Sequence, residues 1–148
     1  NSSARFTLKV WDVLGQEVMS DHISIGRKIQ LVAWDTTGQL NSFRALSCAA
    51  VNSIKSYFIL RAGCGDGLIF PKTVGFETRG NCVYSPWFDA FKLSGGDNTI
   101  RFECTYTACD QTCNGDSCEV EVDRLPKPKR SLPDKPVFGL VSRSFRLN

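Results

Sequence analysis

Seven cysteines crowded between Cys48 and Cys118 constrain this chain more than any other feature of its sequence. Thiols at such short spacings are typical of proteins matured in an oxidising compartment, where they pair and staple the fold. Zinc is the competing explanation, and the spacings argue against it. Cys104, Cys109, Cys113 and Cys118 contain no C-x2-C pair, and the only histidine, His22, is far away in sequence. A secreted or extracellular protein without metal or cofactor is therefore expected. Asn1-Ser2-Ser3 matches the N-glycosylation acceptor pattern, which makes Asn1 a candidate glycan site in keeping with that compartment.

The rest of the sequence reads as strands. Phe6, Leu8 and Val10 alternate with Thr7, Lys9 and Trp11, and Ile29, Leu31 and Ala33 alternate with Gln30 and Val32. That period of two predicts half-buried strands. Further runs cover Phe43 to Cys48, Ser56 to Leu60, Trp87 to Leu93 and Thr99 to Thr107. The last separates its faces without exception: Ile100, Phe102, Cys104 and Tyr106 against Arg101, Glu103 and Thr105, so Cys104 is predicted to point inward. Trp87, Phe88 and Phe91 cannot all face inward on a regular strand, which predicts a bulge or an exposed aromatic there. Glycine-rich turns at Leu14-Gly15, Thr37-Gly38, Gly63 to Gly67 and Ser94 to Asp97 punctuate the runs. No segment keeps a helical period. The pattern predicts an all-β antiparallel sandwich or barrel, and 148 residues suffice for one domain with a tail.

Charge and motifs exclude several functions. A net charge of +3, with basic and acidic residues interspersed, marks no nucleic-acid face. No run approaches the roughly 20 apolar residues of a membrane span, and the first residues lack the form of a signal peptide, so the chain reads as a piece of a longer product. His22 has no nucleophile context around it and is expected in an exposed loop. Gly63-Cys64-Gly65-Asp66-Gly67 lacks the Gly-Lys-Ser/Thr ending of a phosphate loop. Asp35, Asp110 and Asp116 show no repeated calcium-ligand spacing. The chain is not expected to be an enzyme.

After Val122 the composition changes. Residues 124–136 hold four of the six prolines together with Lys127, Lys129 and Arg130, which disfavours helix and interior strand and predicts an exposed linker. An apolar segment, Val137 to Phe145, follows and is long enough for one more strand.

The cysteines in their settings carry a resemblance: Ser47-Cys48-Ala49-Ala50, Ala62-Gly63-Cys64-Gly65-Asp66, then Phe102-Glu103-Cys104-Thr105-Tyr106-Thr107-Ala108-Cys109, with Cys113 and Cys118 close behind. At these residues, and from Phe6 through the tail, the chain resembles the C-terminal half of a zona pellucida (ZP) polymerisation module. Ala62 to Gly67 and Ser85-Pro86-Trp87-Phe88 look closest to the vitelline-envelope members of that family. The resemblance implies an immunoglobulin-like β-sandwich over residues 1–123 that polymerises with other ZP-module chains into an extracellular filament or coat. It implies bridges Cys48–Cys104, Cys64–Cys118 and Cys109–Cys113, each worth about 2–4 kcal/mol through restriction of the unfolded chain. Cys82 falls outside the pattern: it is compatible with a free thiol, a bridge to a region outside the chain, or an intermolecular bond. The resemblance also implies a furin-type cleavage site at Lys127, Lys129 and Arg130 within linker 124–136. Residues 137–148 become a propeptide whose patch Val137, Phe138, Leu140 and Val141 fills a strand and blocks assembly until it is released. Membrane anchorage would belong only to the precursor beyond this chain. The alternatives are a non-polymerising ZP-type receptor ectodomain that binds a protein ligand, and a generic immunoglobulin-like adhesion domain.

Overall fold

The computed structural model describes residues 6–38, 42–109, 113–119 and 137–148. Their strands in chain order are β1 (Phe6–Trp11), β2 (His22–Ile23), β3 (Lys28–Asp35), β4 (Phe43–Val51), β5 (Ser56–Arg61), β6 (Cys64–Gly65) and β7 (Glu77–Arg79). There follow β8 (Cys82–Tyr84), β9 (Phe88–Asp89), β10 (Thr99–Ala108), β11 (Gly115–Asp116), β12 (Val137–Val141) and β13 (Phe145–Leu147). One sheet runs β1-β3-β8-β7-β11 with β9 also on β3. The other runs β2-β13-β10-β4-β5-β6 with β12 also on β10. Pairing is antiparallel throughout except between β13 and β2, which run parallel. The result is an immunoglobulin-like β-sandwich.

The alternation in the sequence explains which side chains fill the space between the sheets. Leu8 and Val10 of β1, with Ile29, Leu31 and Ala33 of β3, meet Ile100, Phe102, Cys104 and Tyr106 of β10, all buried. Phe70, Phe88 and Phe102 continue the core as an edge-to-face chain with ring centroids 5.1 and 5.7 Å apart, the geometry that the aromatic quadrupole favours. On the outer side of β10, Arg101 and Glu103 form a surface ion pair at 2.8 Å.

Three expectations are corrected. Gln30 and Val32 are as buried as their neighbours, because β3 is covered on both faces: the Gln30 amide donates to the Ser85 carbonyl at 2.9 Å, and Val32 lies in a small recess beneath Lys9, Trp11 and Trp34. The Trp87–Leu93 run contributes only the two residues of β9. Past it the chain leaves regular strand, although the Ala90 N–H still donates to the Arg27 carbonyl; Phe88 and Leu93 are buried, and Trp87 is the exposed aromatic expected there. His22 is exposed but stands on β2, paired with Arg146 of β13, and not in a loop.

The sulfurs of Cys48 and Cys104 are bonded across directly opposed residues of β4 and β10, within one sheet. Cys64–Cys118 ties β6 to the short helical stretch that follows β11, and Cys109–Cys113 closes a short loop after β10. Around the second bridge the backbone is packed so closely that a Cβ on Gly75 would meet the Gly63 carbonyl at 2.2 Å, leaving room only for glycine. Cys82, half-buried on β8, makes no disulfide within the chain.

Candidate functional site

The final segment lies along β10, the longest strand. β12 pairs with it from Thr107 opposite Val137 to Glu103 opposite Val141, and β13 resumes the pairing with Ile100 opposite Phe145. Four residues of the final segment thus span three of β10, a one-residue bulge. Ser142 carries the pairing into it: its N–H donates to the Phe102 carbonyl at 2.9 Å, and its hydroxyl accepts from the Phe102 N–H at 2.9 Å.

The period of two along β12 sends Phe138 and Leu140 inward and leaves Val137 and Val141 on the surface, 59% and 58% exposed. Phe138 enters an aromatic cluster between the sheets, with ring centroids 4.3 Å from Phe6, 5.8 Å from Phe43 and 5.8 Å from Tyr106. Burial there pushes the Tyr106 hydroxyl far above the usual phenol range, so it stays protonated at any physiological pH. Among the described residues β12 has a strand on one side only. Its other side borders a groove of about 660 Å³ that separates it from β1 and is lined by Phe6, Leu8, Phe138, Leu140 and Arg143, among others. The Lys9–Glu17 ion pair at 3.3 Å balances the charge at the β1 wall.

Beyond the bulge the anchoring deepens. Phe145 and Leu147 of β13 are 1% and 4% exposed, and β13 is flanked by β10 on one side and β2 on the other. Arg143 fastens the junction, its guanidinium 3.1 Å from the Asp21 carboxylate. Sequence reasoning placed a strand here but missed how deep its end goes. Phe145 and Leu147 alternate about Arg146, but three residues are too few to display a period.

The structure thus joins the three cysteine pairs and sets Val137, Phe138, Leu140 and Val141 on one edge strand, with Phe138 and Leu140 on its inner side. Asn1 and the basic residues Lys127, Lys129 and Arg130 lie outside the described residues. Asp35 and Asp116 serve the backbone: Asp35 accepts from the Thr37 N–H and hydroxyl, Asp116 from the Gly75 and Cys118 N–H groups. Asp110 is outside the described residues. No group of three His, Cys, Asp or Glu among the described residues is placed to hold a metal ion.

Residues 1–118 match the family model described as "Vitelline envelope sperm lysin receptor, C-terminal domain". The match ends at Cys118, before the proline-rich linker and before β12 and β13. The chain is also 38% identical over 114 residues to the vitelline envelope sperm lysin receptor of Haliotis rufescens, an alignment covering 75% of this chain and about 3% of that protein.

Proposed function

This chain belongs to the family of vitelline envelope sperm lysin receptor C-terminal domains, and from that premise we propose that it polymerises into the egg coat once its final segment is released. The family is one of structural and receptor proteins of an extracellular coat, not of enzymes. The observation that carries the reading is the position of β12: an edge strand, held by one neighbour and two inward side chains, whose departure would open both a β10 edge and an aromatic pocket. An unpaired edge next to an apolar pocket is a template for a strand from another chain. Cleavage by a furin-type protease at Lys127-Pro128-Lys129-Arg130 would cut the covalent tether of that strand. A membrane-anchored precursor would then free a module that assembles with other ZP-type chains, through the strand position vacated on β10. Cys82 would stay a spare thiol or form a bond between chains.

A second reading draws on the relative's name, which makes that protein a receptor for sperm lysin. In it the module is part of a receptor ectodomain that binds a protein and forms no filaments. The test uses the full-length precursor, expressed and secreted with Lys129 and Arg130 changed to alanine, which removes the protease's charged anchors without touching β12. Size-exclusion chromatography and immunoblots for the tail should show uncleaved monomer, and electron microscopy should show filaments only from the unmodified precursor. If the uncleavable variant assembles as the parent does, the switch is lost. If cleaved parent never forms filaments, the receptor reading stands instead.

A further inference from the structure

The edge of the second sheet opposite β12 is also open. β6 pairs only with Leu60 and Arg61 of β5, so among the described residues Ser56–Ile59 have a strand neighbour, β4, on one side alone. Edge strands are commonly blunted by proline, inward charge or a bulge. Ser56-Tyr57-Phe58-Ile59 has neither proline nor inward charge, both its aromatic residues are exposed, and its one bulge, at Ile59 next to β6, leaves Ser56, Tyr57 and Phe58 in regular register with β4. Beside it opens a pocket of about 340 Å³ walled by Tyr57, Leu68, Ile69, Phe91 and Leu93, with exposed Lys55 and Lys92 completing the lining. Leu68, 77% exposed, gains nothing from the fold in that position.

Cations outnumber anions around this edge. Among the described residues neither Lys55 nor Lys92 has an ion-pair partner, while on the other face of β5 the Arg61 guanidinium sits 4.7 Å from the centre of the Phe58 ring. Carboxylates on the neighbouring loops are already engaged. Asp66 accepts the Tyr57 hydroxyl and the Ile69 and Phe70 N–H groups, and Asp97 accepts the Ser53 N–H and hydroxyl. The site therefore offers unpaired backbone, an apolar pocket on the Tyr57 side, and cations without ion-pair partners among the described residues at the pocket and on the Phe58 side.

We propose that the open edge of β5 docks an extended polypeptide segment of a partner protein, one that alternates apolar and acidic side chains and joins the sheet as an added strand. Strand addition draws affinity from main-chain hydrogen bonds and specificity from alternate side chains. The period of two would send apolar side chains into the pocket and acidic ones toward Arg61, with Lys55 and Lys92 favouring acidic residues at the segment's ends. The site lies across the sheet from β12, so the inference stands independently of what becomes of residues 137–148.

The test uses the full chain with two fluorescein-labelled octapeptides, one alternating valine and glutamate, the other valine and lysine. Fluorescence anisotropy should show the glutamate peptide binding at least tenfold more tightly, with the difference shrinking as salt is raised. Amide shifts in 15N spectra should map to Ser56–Ile59. In the variant Lys55→Glu/Lys92→Glu, two exposed substitutions that leave the core untouched, the preference should fall or reverse. N-methylating every second residue of the glutamate peptide should abolish binding in one methylation register and spare it in the other, which side-chain contact alone would not do. The proposal is overturned if the two peptides bind alike, if both methylated registers bind, if the shifts map elsewhere, or if the variant keeps the parent's preference. It is equally overturned if the chain alone dimerises through Ser56–Ile59, which would give the edge to a second copy.

Discussion

β12 and β13 are consecutive pieces of one segment lying along the same strand, yet they are held by different means. β12 offers two half-buried side chains and one neighbour. β13 buries Phe145 and Leu147 and is bonded on both sides: the Arg146 N–H donates to the Asp21 carbonyl at 2.7 Å, and the Leu147 N–H to the Asn98 carbonyl at 2.8 Å. Extracting β13 means returning two core side chains to water, a cost of about 3–6 kcal/mol before any backbone term. β12 can peel from β10 at lower cost, with the bulge after Ser142 as its hinge. Were the final segment to be released, as proposed, it would leave in two steps, with β12 opening first.

The largest expected effect follows from β13. Phe145→Ala should destabilise the domain by about 3–5 kcal/mol, the range for truncating a buried phenylalanine, whereas Phe138→Ala should cost about half as much because its ring is only partly enclosed. Urea unfolding with the disulfides intact measures both as shifts in midpoint at constant slope. Equal losses would mean that β12 is as firmly seated as β13 and would erase the distinction between them.

The two pieces should also separate in the native state. Hydrogen exchange of the full chain should be faster for the β12 amides than for those of β13, since local opening reaches the elements with the fewest buried contacts first. Arg143→Ala removes a partly exposed ion pair at their junction, so its effect on global stability should be at most about 1 kcal/mol. If the variant accelerates exchange in β13 as much as in β12, the bulge is no hinge and the segment moves as one.

The same contrast shows what the sequence could and could not disclose. β10 was legible because from Ile100 to Tyr106 its alternation is unbroken and only one of its faces is buried, which also fixed the inward direction of Cys104. β3 was misread, since a strand covered on both faces loses its alternation: Gln30 and Val32 look like outward positions and are buried by Ser85, Lys9 and Trp11. The inward anchors Phe138 and Leu140 could be picked from the apolar run. The depth of β13 could not, because three residues are too few to display a period and their burial is set by β2, some 120 residues away in the chain. Cys82 gave no sign of its partner at either level. The open edge of β5 was invisible for another reason: a strand's sequence does not say whether it stands at the end of a sheet.

The smallest expected effect is the one that sharpens the comparison most, because it alters β12 without removing any contact. Gly139 stands opposite Thr105, and a Cβ built on it would meet only the Cys104 carbonyl, at 3.7 Å, an ordinary contact. Its backbone lies outside the left-handed region, so alanine can adopt the same conformation. Glycine weakens a strand chiefly through the freedom it has when the strand is undocked, and Gly→Ala at a compatible position stabilises by about 0.4–1 kcal/mol. Gly139→Ala should therefore leave the docked structure unchanged and reduce the peeled population of β12 roughly two- to fivefold, with β13 unaffected. Hydrogen exchange should slow by that factor at the β12 amides alone. In the cleaved precursor the same variant should delay filament assembly, if peeling of β12 is the step that opens the β10 edge. Slower exchange in β12 with assembly at the parent's rate would place the controlling step elsewhere, in the extraction of Phe145 and Leu147.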